Sequence, residues 1–498
     1  MPKFRTQIET FLFRIIGLAS LVFLFIASRI TLLPGLPSWY DEQRFLELLI
    51  LSGALLLFGI SPRLTTPLWT TFLWVGMLLL SMLSPMPGWA IAEFGIFMGL
   101  VALTFCIYQA LHAFNQHHSK IMIFVLVIYA LQIGFVPLAQ LEPLLLGGAT
   151  DLNLPTLFGG FSNHRFFSQT ESLLIPLMAL PAMQLTETSR WRKLSDVAAC
   201  LLWLLAFAAG TRAFYVAIVV SVVFAWFYSD TLGRRWVHLQ AWFAGFGGLA
   251  YGLLFKVLPW FLPLTVTTDN ARLTTLETAA DSSGRLDMWI YAVKLIFEHP
   301  LTGIGPMHFA TLAATSPLTP GFAAHPHNSV LQLLVEWGLP MGLILLALMG
   351  LGIQKVFKAA QSPSNHPDAS NTLFCLGMAL LTAFVYSLFD GSLVNPYTQV
   401  LICVVAGWAW SAMAQSDEPS SNHVSASWLI KSNLVLTKVT AIAIGTYLCW
   451  MAITVQTTLT SYLTTHPDQA LLPRLWSQGL IGFPNDDRYP DASFYPQK

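Results

Sequence analysis

Charge is what this chain has least of. Only 10% of its 498 residues are Asp, Glu, Lys or Arg and 55% are hydrophobic, where a soluble protein carries about 25% charged residues. That excludes an ordinary soluble domain and makes this a membrane protein. The charges also cancel, 25 basic against 25 acidic, so no basic excess argues for a nucleic-acid partner. Cysteine is sparse: Cys106, Cys200, Cys375, Cys403 and Cys449 all sit in apolar runs with no CxxC pair. They read as small buried hydrophobes, which excludes a disulfide framework and a zinc site. There is no internal repeat and no Gly-rich nucleotide loop, so a nucleotide-sugar donor is not expected. The basic start and the apolar run at 11–33 imitate a signal peptide, but the run is long and many similar ones follow. We read it as a retained first span.

Apolar runs of about spanning length fall near 11–33, 45–60, 66–84, 89–112, 120–139, 167–186, 196–210, 212–229 and 238–257, then 339–356, 371–389, 397–414 and 434–455. The expected fold is an all-α polytopic membrane protein of about 12–13 transmembrane helices with one large outer loop containing short helices. The expected divisions are 1–257 (helices one to nine), 258–338 (the loop), 339–455 (helices ten to thirteen) and 456–498 (a polar tail on the outer face).

Orientation follows from the basic residues. With the N-terminus inside, the inner loops hold Arg63, Lys120, Arg190, Arg192, Lys193, Arg234, Arg235, Lys355, Lys358 and Lys431, as the positive-inside rule requires. Three arginines break that rule. Arg165, Arg212 and Arg285 lie outside, each at an expected helix start. A cation there is unfavourable by roughly 0.3–1 kcal/mol unless an anion neutralises both. Guanidinium groups and free backbone N–H groups together suit an anion such as a diphosphate. Taken singly, each arginine has a plainer reading, snorkelling to headgroups or pairing with a nearby acid. After Arg285, the residues Leu286, Trp289, Ile290, Val293, Ile296 and Phe297 share one face of an amphipathic helix that Pro300 ends.

The loop closes on AAHPHNSVLQLLVEWGLPMG, residues 323–342. Pro326 suits a first helical turn, with His325 at the cap and Gly338 as a stop. That places His327 and Asn328 in the first turn, where a neutral His327 is favoured and can accept a proton. His325 and His327 lack a third ligand, so no metal site is expected. Glu336 reads as an arginine partner, and His164 and His308 as surface hydrogen-bonding groups. Asp390, at the outer end of the eleventh run, either orients an arginine or the histidine or caps a helix.

These pieces together resemble the O-antigen ligase and O-antigen polymerase family of integral-membrane glycosyltransferases. The matching pieces are Phe161–Asn163 with Arg165, Thr211-Arg212, Gly284-Arg285 with Trp289, the run from Pro300 to Gly305 with Phe309, and His327-Asn328 with Gly338. They cover about 158–342. Gly342 departs by one place from the ligase pattern, which leaves the subfamily open. The resemblance implies a bacterial inner-membrane enzyme with a periplasmic site. It also implies an undecaprenyl-diphosphate-linked glycan donor and metal-independent, cofactor-free inverting transfer to a hydroxyl acceptor such as lipid A–core. In that reading His327 is the catalytic base and Arg212 and Arg285, with Arg165, hold the diphosphate. Asn328, His325 and Asp390 complete the substrate-binding set. A polymerase or a protein O-oligosaccharyltransferase shares the donor. A lipid-linked-sugar transporter is the reading from another class, although transporter charges usually lie near the midplane.

Overall fold

The structure, a computed structural model, describes residues 2–30, 32, 39–61, 66–114, 118–139, 151–153, 158, 160–161, 164–229, 231–261, 265–267, 285–315, 325–361, 367–416, 431–432 and 435–465. It is an all-α polytopic membrane protein. Its helices are α1 (Pro2–Ile26), α2 (Trp39–Ile60), α3 (Leu68–Met82), α4 (Pro87–His112), α5 (His118–Ala139), α6 (His164–Leu177), α7 (Ala179–Gln184), α8 (Arg190–Ala209), α9 (Arg212–Tyr228) and α10 (Leu232–Gly252). After the loop come α11 (Arg285–Glu298), α12 (Phe309–Thr315), α13 (Ser329–Gln361), α14 (Pro367–Ser387), α15 (Pro396–Ser416) and α16 (Val435–Thr465). Two pairs of very short strands join Thr66–Pro67 to Lys431–Ser432 and Asp151–Asn153 to Thr265–Thr267.

Among the described residues, 9 helices are long and apolar enough to cross a membrane, and Trp69–Met82 and Arg212–Tyr228 are shorter apolar helices. The two other expected spans fall on the α6–α7 pair and on α8. Both are helical, but polar residues dilute them. In α6, Ser168, Gln169, Thr170, Glu171 and Ser172 are all buried. Helix α8 opens with Arg190, Arg192 and Lys193. Polar side chains survive in such places when they face protein rather than lipid.

The core is one continuous apolar cluster running through the bundle, with a second, smaller one under the loop built from Met288, Ala292, Leu295, Ile296, Ile304, Phe309, Ala313 and Val335. The second cluster corrects the expected face of α11. Met288, Ala292, Leu295 and Ile296 are buried against α13, while Leu286, Ile290, Val293 and Phe297 are exposed. The helix carries two apolar stripes, and side-chain pattern alone does not say which one packs. The C-terminal tail expected at 456–498 begins later, because α16 continues to Thr465; residues 466–498 lie outside the described residues.

Candidate active site

One end of the bundle gathers the residues singled out above, and the reason is helix geometry. Arg165 is the second residue of α6, Arg212 the first of α9 and Arg285 the first of α11. The turn before Arg212 is tight: Gly210 closes α8 with φ 59 and Thr211 precedes α9 in extended backbone. A left-handed residue just past a helix is where glycine is favoured. The Thr211 hydroxyl lies 2.9 Å from that of Ser168, which ties this turn to α6. Tyr386, near the end of α14, donates to the Arg165 carbonyl at 3.3 Å and to Asp390 Oδ2 at 3.1 Å. Arg285 is held below its ordinary value, first by burial; Asp390 pulls the other way, and Arg165 and Arg212 push it down further. The three cations therefore share one electrostatic neighbourhood, with Asp390 as the acid within it.

The histidine segment differs from its expected form. Helix α13 begins at Ser329, and Asn328 is its cap: Oδ1 accepts the N–H groups of Val330 and Leu331, both at 3.0 Å. Asparagine outcompetes histidine here because its short carbonyl reaches the free amides of the first turn. So His325 is not the cap, Pro326 is not in the helix, and His327 stands ahead of the cap with φ 50. A non-glycine residue in that region is uncommon and is held by its surroundings. Three contacts hold this one. Trp289 of α11 donates its indole N–H to the Pro326 carbonyl at 2.9 Å. The His327 amide donates to His325 Nδ1 at 3.1 Å. The His327 ring Nδ1 lies 3.3 Å from Asp390 Oδ1.

That last pair sets the chemistry. Burial alone would raise the Asp390 carboxyl. The hydrogen bond from His327, the electrostatic influence of the two histidines and the Gly391 amide (2.8 Å to Oδ1) outweigh it and hold the group well below the usual carboxylate range. An ionised carboxylate only accepts, so His327 Nδ1 carries the proton and Nε2 is left as an acceptor. The His327 side chain is 26% exposed and Asp390 only 3%. One face of the imidazole therefore meets solvent while its orienting partner stays dry. A carboxylate that fixes the tautomer of a general base is a recurrent arrangement in acyl and glycosyl chemistry.

The motif from Pro300 to Gly305 gains a physical role. Gly338 (φ 75, ψ 164) breaks α13 into two helical parts. The loop docks on the break through Leu339 N–H to Pro300 O at 2.8 Å, Ile304 N–H to Val335 O at 2.9 Å and Gly305 N–H to Glu336 O at 3.1 Å. A Cβ at Gly303 would strike the backbone of Glu336 and Gly338, and one at Gly338 would strike Leu301. Backbone packs on backbone there, and only glycine permits it.

One other expectation shifts: His308 is fully buried rather than at the surface. Glu336 is buried beneath this loop. His308 Nε2 accepts from the Met86 amide at 2.9 Å and its Nδ1 faces the Pro306 carbonyl at 2.7 Å, so it anchors the loop to the turn before α4. Asn163 and Gly284 lie outside the described residues. Sequence reasoning missed Tyr386 and the cluster around Arg44. Its one available signal was WYDEQR, a polar run opening an apolar span.

No curated protein matches the chain. A family model for O-antigen ligase matches residues 197–347. The matched stretch runs from within α8 into α13 and contains Arg212, Arg285 and His327; Arg165 and Asp390 lie outside it and reach the site through the fold. Over this stretch, about three-tenths of the chain, the protein is similar to the O-antigen ligase family.

Proposed function

We propose that the protein transfers a glycan from undecaprenyl diphosphate to an acceptor hydroxyl, with lipid A–core as the acceptor, on the periplasmic face of the inner membrane. The observation that carries this reading is the His327–Asp390 pair set beside three helix-heading arginines. His327 Nε2 takes the proton of the acceptor hydroxyl, and the oxygen attacks the anomeric carbon from the side opposite the leaving group. The bond from that carbon to the phosphate oxygen breaks with inversion, and its electron pair leaves with the lipid diphosphate. Arg212, Arg285 and Arg165 stabilise the charge that builds there. Preorganised cations aimed at developing charge are usually the largest single contribution to such a step. His325 contributes by accepting the His327 amide, and Asn328 through the cap that follows the His327 backbone. Residues 258–338 are taken as the loop domain, of which α11 and α12 are described helices.

The test uses purified protein, an undecaprenyl-diphosphate-linked glycan and lipid A–core, with EDTA present. A core-linked product that falls by about 10²–10⁴-fold in His327→Ala supports the reading, that being the usual worth of a general base. Longer lipid-linked chains from donor alone would make the enzyme a polymerase. Product in full yield from His327→Ala would remove the base from the mechanism.

A further inference from the structure

Asp390 does not reach His327 from a rigid helix. It sits on the eight-residue connection 388–395 between α14 and α15, and that connection is gripped from its far side by a buried polar cluster. Arg44 of α2 donates through Nη1 to Glu47 Oε2 at 2.5 Å and to Gln399 Oε1 at 2.8 Å. Through Nη2 it donates to the Tyr40 hydroxyl at 2.9 Å and to the Val394 carbonyl. Tyr40 also donates to Val394 O at 3.3 Å, and Gln399 Nε2 donates to Leu393 O at 2.7 Å. The orientation of the Gln399 amide is fixed, since arginine only donates and a backbone carbonyl only accepts. Tyr40, Arg44, Glu47 and Gln399 are all buried.

A guanidinium taken out of water needs its charge met and its donors filled. Glu47, one turn on, meets the charge. The Arg44 Nη donors also reach Tyr40, Gln399 and Val394, and so hold Val394 and, through Gln399, Leu393, while its Nε N–H finds no partner among the described residues. The grip passes back to the site in two steps. Val394 N–H donates to Gly391 O at 3.0 Å, closing a turn. The Gly391 amide donates to Asp390 Oδ1, and the His325 ring lies so close over Gly391 that a Cβ there would collide with it.

We propose that Arg44, with Tyr40, Glu47 and Gln399, is a positioning cluster: it fixes the 391–394 turn and thereby the carboxylate that orients His327. The proposal rests on His327 being the base, as set out above. None of the four residues touches the reacting atoms; they act through Asp390.

The test takes the full-length protein in detergent with Gln399→Leu, Tyr40→Phe and Arg44→Gln, and reads two quantities. The first is hydrogen exchange of the segment 388–395, which needs no substrate. Loss of the grip opens the turn, so the Gly391 and Val394 amides exchange about tenfold faster in Gln399→Leu. The second is transfer from the undecaprenyl-diphosphate glycan to lipid A–core. There kcat falls about tenfold in Gln399→Leu and about a hundredfold in Arg44→Gln, with the donor KM within about twofold, because misplacement by an ångström costs rate rather than binding. Combined with Asp390→Asn, neither substitution slows transfer further by more than about twofold, the signature of residues acting through one another. Unchanged exchange in Gln399→Leu and Tyr40→Phe overturns the cluster's role whatever the substrate. So do rate losses that multiply with that of Asp390→Asn. If Arg44→Gln does not fold, the two milder variants decide the matter alone. Failure of the base assignment shows separately, as His327→Ala transferring at the parent rate while the exchange result stands.

Discussion

Arg44 and Arg285 stand at the same end of the bundle and are neutralised in opposite ways. Arg44 has a carboxylate one turn away on its own helix and three further acceptors within reach, two of them in the 393–399 region. Arg285 feels Asp390 as an acidic influence, and that carboxylate is already engaged by His327, Tyr386 and the Gly391 amide. Its other charged neighbours are Arg165 and Arg212. One arginine has its charge met within the fold, with only its Nε left without a hydrogen-bond partner among the described residues. The other belongs to a field of positive charge that an incoming anion would relieve, which supports the proposal that the first is scaffold and the second part of a donor site.

Arg285→Lys is the sharpest way to break that contrast. Lysine keeps the charge but loses the planar fork that meets two oxygens at once. Transfer is expected to fall by about 10²–10³-fold, the range seen when one charge-stabilising donor is lost, with melting temperature unchanged and weaker binding of the undecaprenyl-diphosphate donor. Arg44→Lys is expected to do the reverse. It cannot bridge Val394 and Gln399 together, so it lowers melting temperature and kcat while donor binding stays intact. Should the two variants show the same profile in donor binding and melting, the distinction between scaffold and site is lost.

Asp390→Asn comes next. The amide still accepts from Gly391 but no longer fixes the tautomer of His327, and kcat is expected to fall by about 10²-fold. Its pH behaviour has a definite sign. The folded carboxyl lies below its ordinary 3.8, so the unfolded chain binds that proton more tightly. The stability it contributes is complete above that ordinary value and is lost as pH falls through the folded one. The melting-temperature gap between the parent and Asp390→Asn should therefore hold steady from about pH 6 to about pH 5 and narrow below about pH 4. A gap that widens on acidification would mean that Asp390 is not ionised in the fold.

How much of this was legible beforehand follows from which interactions are local. The three arginines were visible because orientation and helix starts are properties of short stretches, and all three do head helices. His327 was visible as a candidate, but its backbone was not: a left-handed histidine is imposed by Trp289, His325 and Asp390, which arrive from other segments. The apolar face of α11 was misassigned for a related reason, since two stripes compete and only the docking against α13 chooses between them. The role of Arg44 was hidden altogether. Its partners Val394 and Gln399 lie some 350 residues away, and no period in the sequence encodes such a distance.

Gly391→Ala probes the link between the two regions at its narrowest point. Its Cβ would enter the space of the His325 ring and press on Val394 Cγ2, which would lie 2.9 Å away. Overpacking of this kind displaces the softer neighbour. The His325 ring is the side chain this Cβ would meet, and its Nδ1 holds the His327 amide. A loss of about tenfold in kcat with modest loss of stability is expected, judged against the cost of small misplacements.

The smallest effect should come from the opposite end of the bundle, and it bears on whether arginines in this protein are functional merely by being charged. Arg192 lines a cleft of about 690 Å³ with Glu187, Asp196, Arg235, His238, Leu239 and Trp242. Its Nε lies 2.9 Å and 3.1 Å from the two oxygens of Asp196, and Nη1 donates to the Ala182 carbonyl. The pair is partly exposed, 15% and 23% by side chain, and such pairs are worth about 0–1 kcal/mol. Like Arg44, Arg192 is met by its own helix; unlike Arg44, it grips no segment that leads to His327. Arg192→Ala should therefore leave both kcat and donor KM within about twofold of the parent. A larger loss would mean that charge at the far end of the bundle is felt at the site, and that local neutralisation is not what separates scaffold arginines from those that meet the donor.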